Sequence, residues 1–399
     1  MQLPGYQNTN SLEEGGPMEV PELREEDPEG YPEGGRDAWL VVAGAWCAMI
    51  PSMGLLNTLA VLHAWVSENE LHDLPESTIG WIFSTYAFFL YFCGAQVEFY
   101  QFLLTFGVLG GVSASLLFNP SIASIGQWFS KRRALATGIA CTAGGVGGVV
   151  FPLIILYMAP SVGFPWAIRT VGFICAAASV VACLLLKKRL PHNKKAGAAI
   201  DMRALGEARF ALTTLAVFLV EFAVFIPYTY ICSYAIHEGF ELKKALLLNA
   251  LLNVGAIPGR ALPGYFADRF GTFNTMCVTS LVCSMFMFAL WLTARGGETA
   301  TTAFAVLFGF WSGAAISLTP VCVGQVCRTE DYGKRSGTAF FVSSFAALAG
   351  VPFAGAILQW SGGAYYGLII FAGGLYVLAF CAFAVARVVA GGWSLKTLF

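Results

Sequence analysis

The chain has 399 residues, of which 57% are hydrophobic, 14% aromatic and only 12% charged. Ordinary soluble domains carry about 25% charged residues, so a soluble globular protein is excluded. Apolar runs between Trp39 and Val389 recur at the length of about 20 residues that crosses a bilayer as a helix. The formal net charge is -1, but the first 37 residues hold ten acids against Arg24 and Arg36. The remainder is therefore basic, with its bases in short connections between apolar runs, and no surplus is left for nucleic acid.

Residues 1–36 are acidic, rich in Gly and Pro and nearly free of aromatics, the composition of a flexible tail that cannot bury enough apolar surface to order itself. It lacks a charged n-region followed by an apolar stretch, so no cleavable signal is expected and the first span directs insertion. Hydropathy and turn residues then predict spans at 39–65, 79–97, 102–126, 134–158, 166–186, 211–236, 245–266, 273–294, 300–326, 337–358 and 366–388, eleven in all. Lys131-Arg132-Arg133, the stretch 187–209, Arg269, and Arg328 with Lys334-Arg335 mark the cytoplasmic side at every second connection. The cysteines lie scattered through the apolar runs without C-x-x-C pairs and read as small buried hydrophobes.

The longest polar connection, 187–209, divides the chain into an N-terminal bundle over 37–186 and a six-helix C-terminal bundle over 210–390, with a short tail at 391–399. Five spans precede the linker and six follow it. In the second half, Tyr265-Phe266-Ala267 passes into the turn Asp268-Arg269-Phe270-Gly271 before the next span; in the first half, Ala95-Gln96-Val97 runs straight into Glu98-Phe99-Tyr100 and another span. A turn and one helix, roughly 35 residues, are expected to be missing between Val97 and Glu98. Restoring them places the acidic tail and the basic cluster at Lys131 on the same side. The alternative is a genuine eleven-span protein.

Two further segments carry a resemblance. Before the first span stands Glu33-Gly34-Gly35-Arg36-Asp37-Ala38-Trp39; later comes Trp128-Phe129-Ser130-Lys131-Arg132-Arg133-Ala134-Leu135-Ala136-Thr137-Gly138, followed by the Gly-dense stretch 144–148. The two-bundle plan resembles the major facilitator superfamily, whose substrate path lies between the halves. The two segments resemble the signatures of its monocarboxylate porter family, particularly the fungal branch. That resemblance implies an all-α polytopic fold of twelve helices and transport of a small organic solute by alternating access.

Charges at membrane depth are costly and mark candidate sites. Arg260 lies mid-span in Gly255-Ala256-Ile257-Pro258-Gly259-Arg260, where a guanidinium can grip a carboxylate with two hydrogen bonds; it coincides with the arginine that the family uses for anionic substrates. Glu221 lies near the middle of 211–236 and is a candidate proton-coupling group or, equally, a salt partner of Arg260. The family's proton-linked lactate carriers have a lysine in the first span and an aspartate four residues before the arginine; Asn57 and Ala256 stand there in this chain. Those departures point away from proton-coupled lactate transport and towards a larger, neutral or weakly acidic solute, with Asn57 as a hydrogen-bonding group or a helix bridge. Tyr228, Tyr230, Tyr234, Phe340, Phe341 and Phe345 are candidates for an aromatic wall. Asp268, Arg269 and Gly271, with Lys131, Arg132 and Arg133, resemble the cytoplasmic motifs that lock one alternating-access state.

No H-E-x-x-H, G-x-S-x-G or phosphate-binding loop is present, and the four histidines are far apart, so neither an enzyme nor a metal site is expected. No cofactor or nucleotide partner is implied, and uphill transport would draw on an ion gradient, protons among the candidates. The sequence reading is a multi-pass secondary carrier of the plasma membrane, exporting a secondary metabolite. Uptake of a monocarboxylate-like acid or a riboflavin-like vitamin, and a non-transporting sensor on a carrier scaffold, are the alternatives.

Overall fold

The computed structural model describes residues 31–59, 61–62, 110–187, 189 and 200–392. Helix α1 (Gly35–Met49) passes through a π-turn at Ile50–Gly54 and continues to residue 59; α2 spans Gly111–Trp128, α3 Arg133–Val162 and α4 Phe164–Leu185. After the linker come α5 (Ala208–His237), α6 (Leu242–Phe270), α7 (Thr272–Phe286, extended through a second π-turn to Ala294), α8 (Glu298–Gln325), α9 (Tyr332–Trp360) and α10 (Tyr366–Gly391). Nine of these segments among the described residues are long and apolar enough to cross a membrane. The predicted span at 79–97 and the junction of Val97 with Glu98 lie outside the described residues.

Helices α1–α4 pack on one another, as do α5–α10, and the two groups meet chiefly along α3 and α6. Missing side chains make the closest packing possible. Gly255 and Gly259 of α6 lie against the carbonyls of Val306 and Phe310 of α8, while Gly309 of α8 lies against the Leu252 carbonyl, leaving no room for a Cβ at any of the three. In lipid, where water supplies no drive for helix association, such close approach is what dispersion and backbone contact require. Gly138 and Gly264 perform the same service between α3 and α6, each meeting a carbonyl of the opposite half.

The ordered fold starts before residue 37. Glu33 accepts hydrogen bonds from the backbone amides of Ser130 (2.8 Å), Lys131 (2.7 Å) and Arg132 (3.3 Å), and Tyr31 donates to Thr329 at 2.6 Å. The expected boundary of the tail at residue 36 is thus corrected for residues 31–36: a carboxylate on exposed amides anchors them despite their polar composition. At the other connection, the 3₁₀ turn Met202–Gly206 seats the end of the linker on α9 through Asp201 with Lys334 (3.2 Å) and Glu207 with Arg335. The Lys334 ammonium holds the Asp201 carboxyl below its ordinary range.

Candidate functional site

The central site is assembled where α3 and α6 cross. Asn249, Asn253, Ala256 and Arg260 recur at helical spacing on one face of α6 and are all buried. Arg260 has no solvent exposure; its Nη1 donates to the Cys141 carbonyl of α3 at 2.8 Å, whereas Nε and Nη2 have no hydrogen-bond partner among the described residues. Gly144 makes the seat, since a Cβ there would collide with Arg260 Nη1 and with Met53 of α1. Asn57 donates to the Gly144 carbonyl at 2.7 Å and its own carbonyl accepts from Asn249 at 3.0 Å. The π-turn at Ile50–Gly54, opened by Pro51 with its missing N–H, lies just before Asn57 and shifts the register of the helix that carries it.

Glu221, Tyr228, Asn57 and Met53 line a central cleft that encloses about 10 Å³, room for roughly one water. Glu221 has no ion-pair partner among the described residues, so the alternative of a Glu221–Arg260 salt bridge is not realised. Tyr228, two turns further along α5, lies within reach of the Arg260 charge and 3.4 Å from the Ser312 hydroxyl. Tyr230 faces another way: it donates to the Val351 carbonyl at 2.9 Å and lines an outer recess with His237 and Tyr365. The expected aromatic wall is corrected accordingly. Tyr234 packs edge-on to Trp291 and Tyr365, Phe340 to Phe118, and Phe345 is 47% exposed. Tyr228 and Tyr230, two apart, face different sides of α5, and Tyr234, four on from Tyr230, shares the side of Tyr230 rather than that of the cleft.

A second cluster joins the two halves at one end of the bundle, where α3 starts and α6 ends. The first turn of α3 has no cap from its own flanking side chain, leaving amides to be satisfied. Asp268, at the end of α6, accepts from the amides of Ala134 and Leu135, both at 2.9 Å, while Glu33 takes the three amides just before them. Two carboxylates thus face the positive end of one helix dipole, one from each half. Arg133, 8% exposed, reaches the Gly324 carbonyl (3.2 Å) and Thr329 (3.3 Å) and lies over the Tyr332 ring. Gly271 adopts a φ of 91°, which a Cβ disfavours, and ends α6 so that α7 can start at the next residue. Lys131 and Arg132 are exposed and contribute backbone amides, and Arg269 stacks on Tyr265.

Asn249, Asn253 and Tyr332 belong to these clusters without having been singled out by sequence, and Glu33 was marked only as the acid of the segment before the first span. The Asn249/Asn253/Arg260 periodicity was available as a signal; the contacts of Glu33 and Tyr332 join segments distant in the chain, and the sequence did not show their partners.

A bundle of apolar helices with a small cleft at the seam of two halves that holds Asn57, Glu221 and Tyr228 among apolar neighbours, closed on one side by contacts between the halves, has the build of a transmembrane carrier. Residues 75–302 match the Major Facilitator Superfamily, and the chain belongs to that family. It is 33% identical to the riboflavin transporter MCH5 of Saccharomyces cerevisiae, over 89% of this chain and 79% of that protein. It is 32% identical to the MFS-type transporter opdF of Penicillium oxalicum, over 97% and 99%, and 33% identical to the fujikurins efflux protein of Gibberella fujikuroi, over 86% and 81%. The fold is shared with the human organic anion transporter MFSD10 at a TM-score of 0.57 and 16% identity, covering 87% of this chain and 82% of that one. FucP in its outward conformation gives 0.56 and 15%, covering 90% and 92%. The protein is a multi-pass membrane transporter.

Proposed function

We propose that this chain is a secondary active carrier that exports a secondary metabolite across the plasma membrane, and that it belongs to the monocarboxylate porter branch of its superfamily. The observation that carries a substrate role is Arg260, a fully buried guanidinium at the seam of the halves whose Nε and Nη2 have no hydrogen-bond partner among the described residues; buried polar groups are almost always paired, and a solute acceptor would complete it. Export is supported by relatives named for efflux of fujikurins and of aspyridones. Asn57 and Ala256, in place of the family's lysine and aspartate, favour a neutral or weakly acidic solute over lactate. The test is metabolite accumulation in cells with and without the gene: loss of the gene should raise an intracellular metabolite and lower it outside, and unchanged pools would refute export.

Vitamin uptake is the second reading, favoured by the similarity to the riboflavin transporter; riboflavin-dependent growth of an uptake-deficient host distinguishes it. In either direction Glu221 is the proposed proton-coupling group, and Asp268, Glu33 and Arg133 are the proposed cytoplasmic lock. The halves at 37–186 and 210–390 are the proposed rocking units.

The proposal includes an internal deletion. The alignment to the Penicillium protein runs over 419 positions while covering 97% of a 399-residue chain, so about 32 positions there have no counterpart here. That number matches the size of a turn and one span (about 20 residues plus its connection), whose loss the sequence pattern places between Val97 and Glu98. Sequencing the transcript across those two codons tests it: an insert encoding an Asp/Arg/Gly turn and an apolar segment is expected, and an uninterrupted reading would mean an eleven-span protein.

A further inference from the structure

On the outer face of the C-terminal group, α6, α7 and α8 leave a groove of about 460 Å³ lined by Pro263, Phe266, Phe270, Val278, Phe310 and Trp311. Its size falls within the roughly 300–1,000 Å³ of small-molecule pockets, and its walls are almost wholly apolar. Phe266 and Phe270 stack on each other and Phe310 packs edge-on to Trp311, so the walls are rigid aromatic planes. The groove lies at the cytoplasmic end of these helices, beside the turn at Gly271.

Its rim carries positive charge. Arg269 is exposed, lies 4.3 Å above the Tyr265 ring and has no ion pair among the described residues. Stacking leaves the edge of the guanidinium, with its hydrogen-bond donors, directed away from the ring. Arg387 of α10 is buried and occupied, donating to the lining residue Asn274 at 2.6 Å and to the Gly392 carbonyl at 2.8 Å, which leaves Arg269 as the exposed cation beside the groove among the described residues. The nearest carboxylate in sequence, Asp268, is occupied by the amides of α3.

We propose that this groove is a binding site for one anionic phospholipid of the cytoplasmic leaflet, an acyl chain lying between Phe266, Phe270 and Trp311 and the phosphate on Arg269. The apolar walls belong to spans and the exposed Arg269, one turn on from Phe266, stands towards their end where a headgroup would lie, and that leaflet carries the anionic lipids that attract basic residues beside a membrane helix.

The test uses the full chain equilibrated with vesicles of equimolar dioleoyl-phosphatidylserine and dioleoyl-phosphatidylcholine, purified, and its retained lipid counted by mass spectrometry. The wild-type protein should retain the serine lipid over the choline lipid by about fivefold, the size expected for one basic residue near the surface. Arg269→Gln should bring the ratio close to one, and Val278→Trp, which fills the groove from a lipid-facing position, should remove the retained lipid of both kinds. No enrichment in the wild type, or enrichment that survives either variant, overturns the assignment. Val278→Trp exchanges one apolar side chain for another and decides the matter alone should Arg269→Gln fail to assemble.

Discussion

Arg260 donates from Nη1 to a backbone carbonyl of the opposite half, and its Nε and Nη2 have no hydrogen-bond partner among the described residues. Arg260→Ala is expected to abolish transport while surface expression persists, since the variant removes a buried charge without opening the α6–α8 contact; retained flux would exclude a substrate role. Arg260→Lys should restore little, because an ammonium lacks the two-pronged geometry. Glu221 lines the cleft, whereas Arg260 is buried outside its lining. Glu221→Gln should flatten the pH dependence of net flux and leave exchange intact, measured in proteoliposomes across pH 5 to 8, and a retained pH profile would refute coupling. Arg260 and Glu221 stood out in the sequence because charge is rare within an apolar run. What could not be read was their relation: the separation of Arg260 from Glu221, and its capture by the Cys141 carbonyl, depend on how α3, α5 and α6 are arranged, and a backbone acceptor leaves no mark in the side-chain sequence.

Among the helices, length and apolarity were legible because a bilayer demands both, and ten of the eleven expected runs contain described helix. The π-turns in α1 and α7 were not, since a one-residue change of helical register has no composition of its own. The G-x-x-x-G spacing at Gly255/Gly259 and Gly309/Gly313 was legible as packing, but its partner was not. The carbonyls of Val306, Phe310 and Leu252 fill the space of the absent side chains. Gly309→Val should therefore force α6 and α8 apart at a cost of about 1–3 kcal/mol, read as a lower midpoint in a thermal-shift assay of the purified protein; an unchanged midpoint would show that the contact is looser than described.

Across the whole molecule, the two halves are joined at the end read from sequence as cytoplasmic by Asp268 on the α3 amides and Arg133 on Gly324 and Thr329. Asp268→Asn removes a charge from a helix N-terminus, an interaction of about 0.5–2 kcal/mol, and should shift the population towards a cytoplasm-open form. Cys141, 1% exposed and beside Arg260, is a natural reporter: its labelling by a maleimide should rise in the variant, with peptide mass spectrometry separating it from the other cysteines. Unchanged labelling would place the closure elsewhere. The polar tail hid half of this closure, because its composition argues against order and only the three amides ahead of α3 give Glu33 a reason to settle.

The carbonyl-to-glycine contact of α6 with α8 also limits how the protein can work. Two helices interlocked along several turns cannot slide past each other, so they swing as one lever. Arg260 sits midway along that lever and Asp268 at its tip. If Asp268 acts in the proposed lock, its release from α3 would displace the guanidinium in the same stroke, making gate opening and reshaping of the central site a single degree of freedom. Independent motion would need a flex at Pro258 or Pro263, the two interior prolines of α6, and a carrier that bent there would leak solute without turning over.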